Sequence, residues 1–398
     1  MLNAGALQGV KILDLTRVLA GPFATMMMAD MGADVIKIEM VNKGDDSRQF
    51  GPFLNGESSY YMNLNRNKKG ITLNLKNPKG KEIFIEMVKK ADIVMENYRP
   101  GTMEKLGLGY EDLKKINPGI IYACVSGFGH YGPYKNRAGY DIIGQAISGL
   151  MSTTGQADGE PTRTGTAMSD VLAGLSVTTG TLSALHYKDK TGIGQKVDVS
   201  LVDATVASME IINQIYLVEG RIPERIGNRY ESCYPYDSFR AKDGSIVIGA
   251  ANDKLWSNVC NLMGRPELAT CEDFDKNFKR VQRHAEVKKI VEEWTVQHSI
   301  DDLVEALLEA GVPVAPINTI DRVVKDPHIA GAREMFVDVE HPKAGKMKIT
   351  GCHIKLSETK PLVKTPAPLL GEHNKEVYSE FMGFDEKEIT TMIEEGII

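Results

Sequence analysis

A chain of 398 residues with 47 Lys and Arg against 53 Asp and Glu has a formal net charge of −6, with 42% hydrophobic and 25% charged residues. These proportions fit a soluble globular protein of two or three domains and exclude collagen-like, disordered and disulfide-scaffold classes. An acidic balance also argues against nonspecific nucleic-acid binding, which needs a basic face.

In chain order, the apolar run at 10–14 (VKILD) predicts a buried strand, 23–31 a helix and 34–39 (DVIKIE) a second strand. Strand–helix–strand at this spacing is a βαβ unit and implies a parallel sheet. The alternation continues with a strand at 70–75, a helix at 78–90, a strand at 92–96, a helix at 110–116 and a strand at 120–125 (IIYACV). Two long helices rich in small residues are predicted at 140–153 and 169–187, then a strand at 196–200 and a helix at 202–218. Pro, Gly, Tyr and Arg cluster without periodicity at 221–237, which marks a linker. A smaller α/β segment follows: strand 245–249, helices 254–263, 281–297 and 300–310, and strand 314–317. Beyond residue 326 the chain reads as irregular strands, one at 346–349, and closes with helix 385–394, where Asp385 and Glu388 form a capping box. The fold expected is α/β, a Rossmann-like parallel-sheet large domain with a smaller α/β domain.

Five scattered cysteines (Cys124, Cys233, Cys260, Cys271, Cys352) with no C-x-x-C pair read as a reducing compartment without a disulfide frame. Neither an export signal nor a membrane span is legible; the longest apolar stretch, 18–29, is short and holds Gly21 and Pro22. A soluble, cytoplasmic protein with no membrane partner is expected.

Glu39 ends the second strand, where a nicotinamide-binding protein places its ribose acid, but the first turn reads DLTRVLAGP rather than G-x-G-x-x-G. The dinucleotide cradle is missing, which argues against a dehydrogenase. Cations nevertheless recur at predicted strand ends: Arg17, Lys76, Arg99 within ENYRPG, Lys105 and Arg137. Singly, each reads as a solvated surface cation; together they suit a ligand with several phosphates. In GTAMSD, Asp170 falls in the first turn of a small-residue helix. It reads either as a cap or dipole partner, or as a nucleophile. His130 reads as a general base or as a solvated loop histidine, and Cys124 as inert core. No spacing matches a metal site and no G-x-S-x-G elbow is present.

DLTRVLAGP, GADVIKIE, GDDSRQFGPF, ENYRPGTMEKLG, INPGIIYACVSGFG, TGIGQKVDVSL and APLLGEH occur in that order across the chain. Together they resemble the class III CoA-transferases, the family of formyl-CoA:oxalate and carnitine CoA-transferases, with the nearest likeness to the acetyl-CoA:oxalate enzymes. The resemblance implies an interlocked, ring-like homodimer, with 1–220 a large CoA-binding domain, 221–325 the linker and small domain, and 326–398 a segment returning to the large domain. It implies that Asp170 is the nucleophile, with Tyr140 near the thioester and Asp141 where formyl-CoA transferases have a Glu. It carries CoA contacts onto Leu73, Lys76, Asn97, Tyr98, Arg99 and Lys105, beside the strand-end Arg17 and Arg137. Coenzyme A and acyl-CoA are then substrates, with no permanently bound cofactor and no metal. The expected reaction moves CoA from a short acyl-CoA such as acetyl-CoA to a small carboxylate such as oxalate. Leu19 and Met40 stand where formyl-CoA transferases have Gln and Arg, and no glycine-rich closing loop is legible between Tyr236 and Asn252. The alternatives are a noncatalytic CoA-binding protein and an α-methylacyl-CoA racemase, whose catalytic His falls at Tyr140.

Overall fold

The computed structural model describes residues 5–398 and divides into two compact units. The first takes the chain to Leu150, then Thr164–Gln214 and Asp326–Ile398; the second takes Met151–Arg163 and Ile215–Lys325.

The first unit is built on β1 (Lys11–Asp14), β2 (Asp34–Glu39), β3 (Lys69–Thr72), β4 (Ile93–Glu96), β5 (Ile121–Ser126) and β6 (Lys196–Ser200). They form one six-stranded sheet in the order β3-β2-β1-β4-β5-β6, every pairing parallel. That is the doubly wound Rossmann order, with its topological switch between β1 and β4. Burial on both faces explains why β4 and β5 read as continuous apolar runs, whereas β6, half-buried at the edge, alternates as KVDVS. One face sends Ile12, Val35, Ile93, Met95 and Ala123 against helices α1 (Ala20–Asp30) and α3 (Met168–Thr191). The other sends Leu13, Ile36, Ile38, Val94 and Tyr122 against Phe84, Val88, Val377, Tyr378 and Phe381. The C-terminal segment therefore completes the second face: Tyr378 donates its hydroxyl to the Thr72 carbonyl at 2.6 Å, and Asp385 with Glu388 forms the capping box.

The second unit has a three-stranded antiparallel sheet of β7 (Tyr236–Ala241), β8 (Gly244–Gly249) and β9 (Val314–Pro316), with β8 in the middle. Trp256, Val259, Val287, Val291, Leu303 and Leu307 from its helices pack with Ile246 and Ile248 of β8. A further hairpin, β10 (Phe336–His341) and β11 (Gly345–Thr350), belongs to the first unit.

Three expected helices are each two. The one at 140–153 is α2 (Asp141–Ile147) and Leu150–Thr153, interrupted where Gly149 takes a φ of 93°. The one at 202–218 breaks at Met209, and the one at 281–297 gives way to Asn277–Gln282 and His284–Thr295 around a non-helical Arg283. Periodicity survives such breaks, so it does not reveal them. Strand β7 lies partly within the stretch read as linker, β10 is one of the strands expected beyond residue 326 without a position of its own, and helix Asn374–Met382 replaces irregular strand there. Among the described residues, no single helix is long and apolar enough to cross a membrane.

Candidate active site

Beyond the C-terminal ends of β1, β4 and β5 lies an open cleft of about 160 Å³. Open α/β sheets bind ligands at this switch point, because the loops after β1 and β4 leave the sheet toward opposite faces. The cleft is lined by Arg17–Ala20, by 97–100, by 125–127, by 137–140, and by Asp170 and Leu201.

The wall after β1 stands on a buried polar frame. Asp14, wholly buried, accepts from the Thr16 amide at 2.9 Å, the Thr25 hydroxyl at 2.7 Å and the Lys68 ammonium at 3.0 Å. Burial pushes the Asp14 carboxyl up, but Lys68 and Lys37 outweigh it and hold it below its ordinary range. Burial likewise brings Lys68 down to about 8. Lys37 donates to Asp45 at 2.7 Å, and Asp45 in turn accepts the Val18 amide at 3.1 Å and the Ser47 amide at 2.9 Å. Val18 is thereby held at a φ of 66°, a region that a β-branched residue rarely enters. Asn97 clasps the neighbouring residue in both directions: Arg17 donates its amide at 2.8 Å and accepts from the Asn97 amide group at 2.7 Å. The two switch-point turns are thus locked together before any ligand arrives.

The wall formed by 125–127 and 137–140 rests on a close backbone approach. A Cβ on Gly127 would lie 2.6 Å from the Gly139 Cα, and one on Gly139 would lie 2.4 Å from the Gly127 Cα. Only paired glycines bring the GFGHYGP and RAGYD segments into one wall.

Asp170 sits in the first turn of α3, but it does not cap it. The cap comes from Asp141, whose Oδ1 accepts the amides of Ser169 at 2.8 Å and Asp170 at 3.4 Å, while its Oδ2 accepts from Gln145 at 2.7 Å. Among the described residues the Asp170 carboxylate accepts no hydrogen bond. Burial, and then the charge of Asp141, push it up to about 7. Such a carboxyl, facing a cleft and poised near neutrality, marks a candidate functional group.

Of the residues singled out from sequence, the cleft brings together Arg17, Asn97, Tyr98, Arg99, Arg137, Tyr140 and Asp170. Asp141 stands behind Asp170 as the cap. Leu73, Lys76 and Lys105 are outside the lining: Leu73 is buried, with its amide on the Glu39 carbonyl, and both lysines are exposed. The cations that do converge are Arg17, which pairs with Asp46 at 2.9 Å, the exposed Arg99, and Arg137, which stacks 3.6 Å from the Tyr134 ring. Asp45 and Asp46 lie outside the lining but hold Val18 and Arg17, which belong to it; their signal in the sequence is the GDDSRQFGPF block, where no role is legible for either.

The solvated-loop reading of His130 is corrected: its side chain is only 6% exposed, packed toward Glu96 and Lys196. Glu96, Cys124 and His130 bring ligand-type atoms within 4.8 Å of one another, a grouping that sequence spacing does not show. A cation there is opposed by Lys196, whose ammonium lies 3.0 Å from His130 Nδ1, and by burial, which holds Cys124 as a thiol. A larger cavity of about 580 Å³ in the second unit has charges that largely pair among themselves, Arg240 with Glu292 at 2.9 Å and Lys288 with Asp237 at 2.8 Å.

Residues 7–374 match CoA-transferase family III. The chain is 40% identical over 399 residues to human succinyl-CoA:glutarate CoA-transferase, covering 100% of this chain and 91% of that protein. It is 40% identical over 379 residues to the acetyl-CoA:oxalate CoA-transferase of Acetobacter aceti, covering 95% and 96% respectively. A CAIB/BAIF family protein from Brucella suis superposes with a TM-score of 0.85 at 36% identity, covering 95% of this chain and all of that one.

Proposed function

The chain belongs to CoA-transferase family III, a family of enzymes that move CoA between carboxylates, and from that premise we propose that Asp170 carries the transfer as a covalent nucleophile. The observation that supports this most is the Asp170 carboxylate itself, uncapped and facing a switch-point cleft lined by three arginines. The arginines suit the phosphates of CoA, and the N-terminus of α1, with no acidic residue in its first turn, favours an anion at the same end of the cleft.

The Asp170 carboxylate attacks the donor thioester carbonyl, the C–S bond breaks, and a mixed anhydride and CoA thiolate result. The thiolate attacks the aspartyl carbonyl of the anhydride, releasing the donor carboxylate and leaving an aspartyl-CoA thioester. The acceptor carboxylate then attacks that thioester, giving a second anhydride and the thiolate. Attack of the thiolate on the acceptor-derived carbonyl releases the new acyl-CoA and restores Asp170. An anhydride keeps the acyl group activated throughout, so no external energy source is needed. In this mechanism, backbone amides of the glycine-bearing wall stabilise the developing oxyanions.

The donor is a short acyl-CoA, acetyl-CoA being the first to test, and the acceptor a small carboxylate such as oxalate. The names of the relatives, glutarate and oxalate, support a dicarboxylate. Among the described residues no histidine lines the cleft, which disfavours the racemase reading. The test is Asp170→Asn assayed with acetyl-CoA and a panel of carboxylic acids. Transfer falls at least about a thousandfold in a folded variant if Asp170 is the nucleophile; wild-type rates overturn the assignment. An oxalate rate no higher than that of unrelated acids overturns the choice of acceptor.

A further inference from the structure

Behind the cleft, Glu96 and His130 meet in a place the transfer chemistry does not use. Glu96 ends β4 and is 2% exposed. Its Oε2 accepts the Tyr98 amide at 2.7 Å, and its Oε1 accepts the Tyr122 hydroxyl at 3.2 Å. His130 follows β5, on a turn fixed by the Gly129 amide donating to the Ser126 hydroxyl at 2.9 Å and by the His130 amide donating to Asp198 at 3.0 Å. The Lys196 ammonium donates to His130 Nδ1 at 3.0 Å, so the neutral ring carries its proton on Nε2. That Nε2 is buried, makes no hydrogen bond to the protein, and lies 3.7 Å from Glu96 Oε1. A buried donor is thus aimed at a buried acceptor, just beyond bonding distance. Neither side chain lines the cleft, but the residues beside them do: 97–100 directly follow Glu96, and 125–127 lead into the turn that carries His130.

We propose that Glu96 and His130 are a positioning pair: a buried carboxylate–imidazole clasp that ties the turn after β4 to the turn after β5 and sets how tightly the cleft grips CoA. The proposal rests on the CoA reading above. Contacts at catalytic sites are often long in the free protein and tighten in the complex; here a small approach of the two turns completes the bond. The ionised carboxylate is the competent form, because it accepts from Tyr98, Tyr122 and His130 together, whereas a protonated one gives up an acceptor oxygen. The groups facing Glu96 are Tyr122 and Cys124 from β5, His130 from its turn, Glu104 from the short helix Thr102–Lys105, and Lys196 and Asp198 from β6. Burial, with Glu104 adding to it, lifts the Glu96 carboxyl to about 7, against the lowering hydrogen bonds of Tyr98 and Tyr122 and the charge of Lys196. Burial and Lys196 hold His130 below its ordinary range, against Asp198 and Glu104, which favours the neutral ring. The clasp weakens as the pH falls through neutrality.

Free CoA, titrated calorimetrically into the full chain carrying Asp170→Asn, reads this without interference from the nucleophile. The affinity of that parent falls as the pH is lowered from 8 to 6. Adding Glu96→Gln weakens binding about tenfold at pH 8 and flattens the pH dependence relative to the parent, the titration of CoA itself being common to both. His130→Gln, on a surface-reaching turn, weakens binding at pH 8 in the same direction and carries the test if the Glu96 variant does not fold. Parent-like affinity and slope in the folded variants overturn the clasp. So does weaker binding with the parent's slope retained, which marks a merely structural role. A parent that binds no CoA at all overturns the proposed function and this role with it, and is told apart from the other outcomes by the parent's own titration.

Discussion

At the scale of the residue, two neighbouring carboxylates, Asp141 and Asp170, do different work. Asp141 spends both oxygens on the N-terminus of α3 and on Gln145, while Asp170 keeps its oxygens free and feels the Asp141 charge through a poorly solvated gap. In the proposed mechanism only the ionised form of Asp170 attacks, so the acidic limb of the kcat/KM profile should fall near pH 7. Replacing Asp141 with Asn removes the second cause of that elevation, and the limb should move to lower pH; an unmoved limb contradicts the pairing. The same shift makes a stability prediction. A carboxyl raised above its unfolded value of 3.8 to about 7 contributes stability at low pH, and that contribution is lost as the pH rises through the folded value. Asp170→Asn should therefore melt higher than wild type at pH 8, with the gap closing toward pH 4, as thermal scans across that range will show.

At the scale of the element, the turn after β1 is where sequence and structure are hardest to connect. Strands β1 and β2 are legible as apolar runs, and Arg17 as a strand-end cation, but nothing local announces that Val18 is left-handed. That conformation comes from Asp45, 27 residues away, which reaches back to the Val18 amide while paired with Lys37. Side chains of Lys37 and Asp45 are almost wholly buried, so removing one leaves an uncompensated charge. Asp45→Ala should cost about 3–5 kcal/mol in urea unfolding at neutral pH and loosen the cleft; a cost within the range of an exposed pair contradicts the frame. Burial of Lys37 opposes its charged form, yet Asp45, Asp14 and Glu39 together hold it above its ordinary range. The convergence of Gly127 with Gly139 has the same character, as do the broken helices: contacts made across the fold leave no mark on local periodicity. The clustering of arginines was legible because strand ends are legible. That Lys76 and Lys105 stand outside the cleft was not, because spacing along a chain says nothing about which way a loop turns.

At the scale of the whole molecule, the negative total charge conceals a local reversal, with Arg17, Arg99 and Arg137 around one cleft. Leu217, Val218 and Ile222 are each more than 70% exposed, an apolar surface of the kind that a partner subunit covers. The homodimer implied by the family resemblance predicts light scattering at twice the 43.8 kDa chain mass; a persistent monomer contradicts it. Passage of the acyl group and CoA through Asp170 is tested most directly by trapping. With acetyl-CoA turning over in the presence of hydroxylamine, mass spectrometry of the digested protein should find a hydroxamate on the peptide holding Asp170, and none in Asp170→Asn. An unlabelled Asp170 under steady turnover means that the acyl group and CoA do not pass through it.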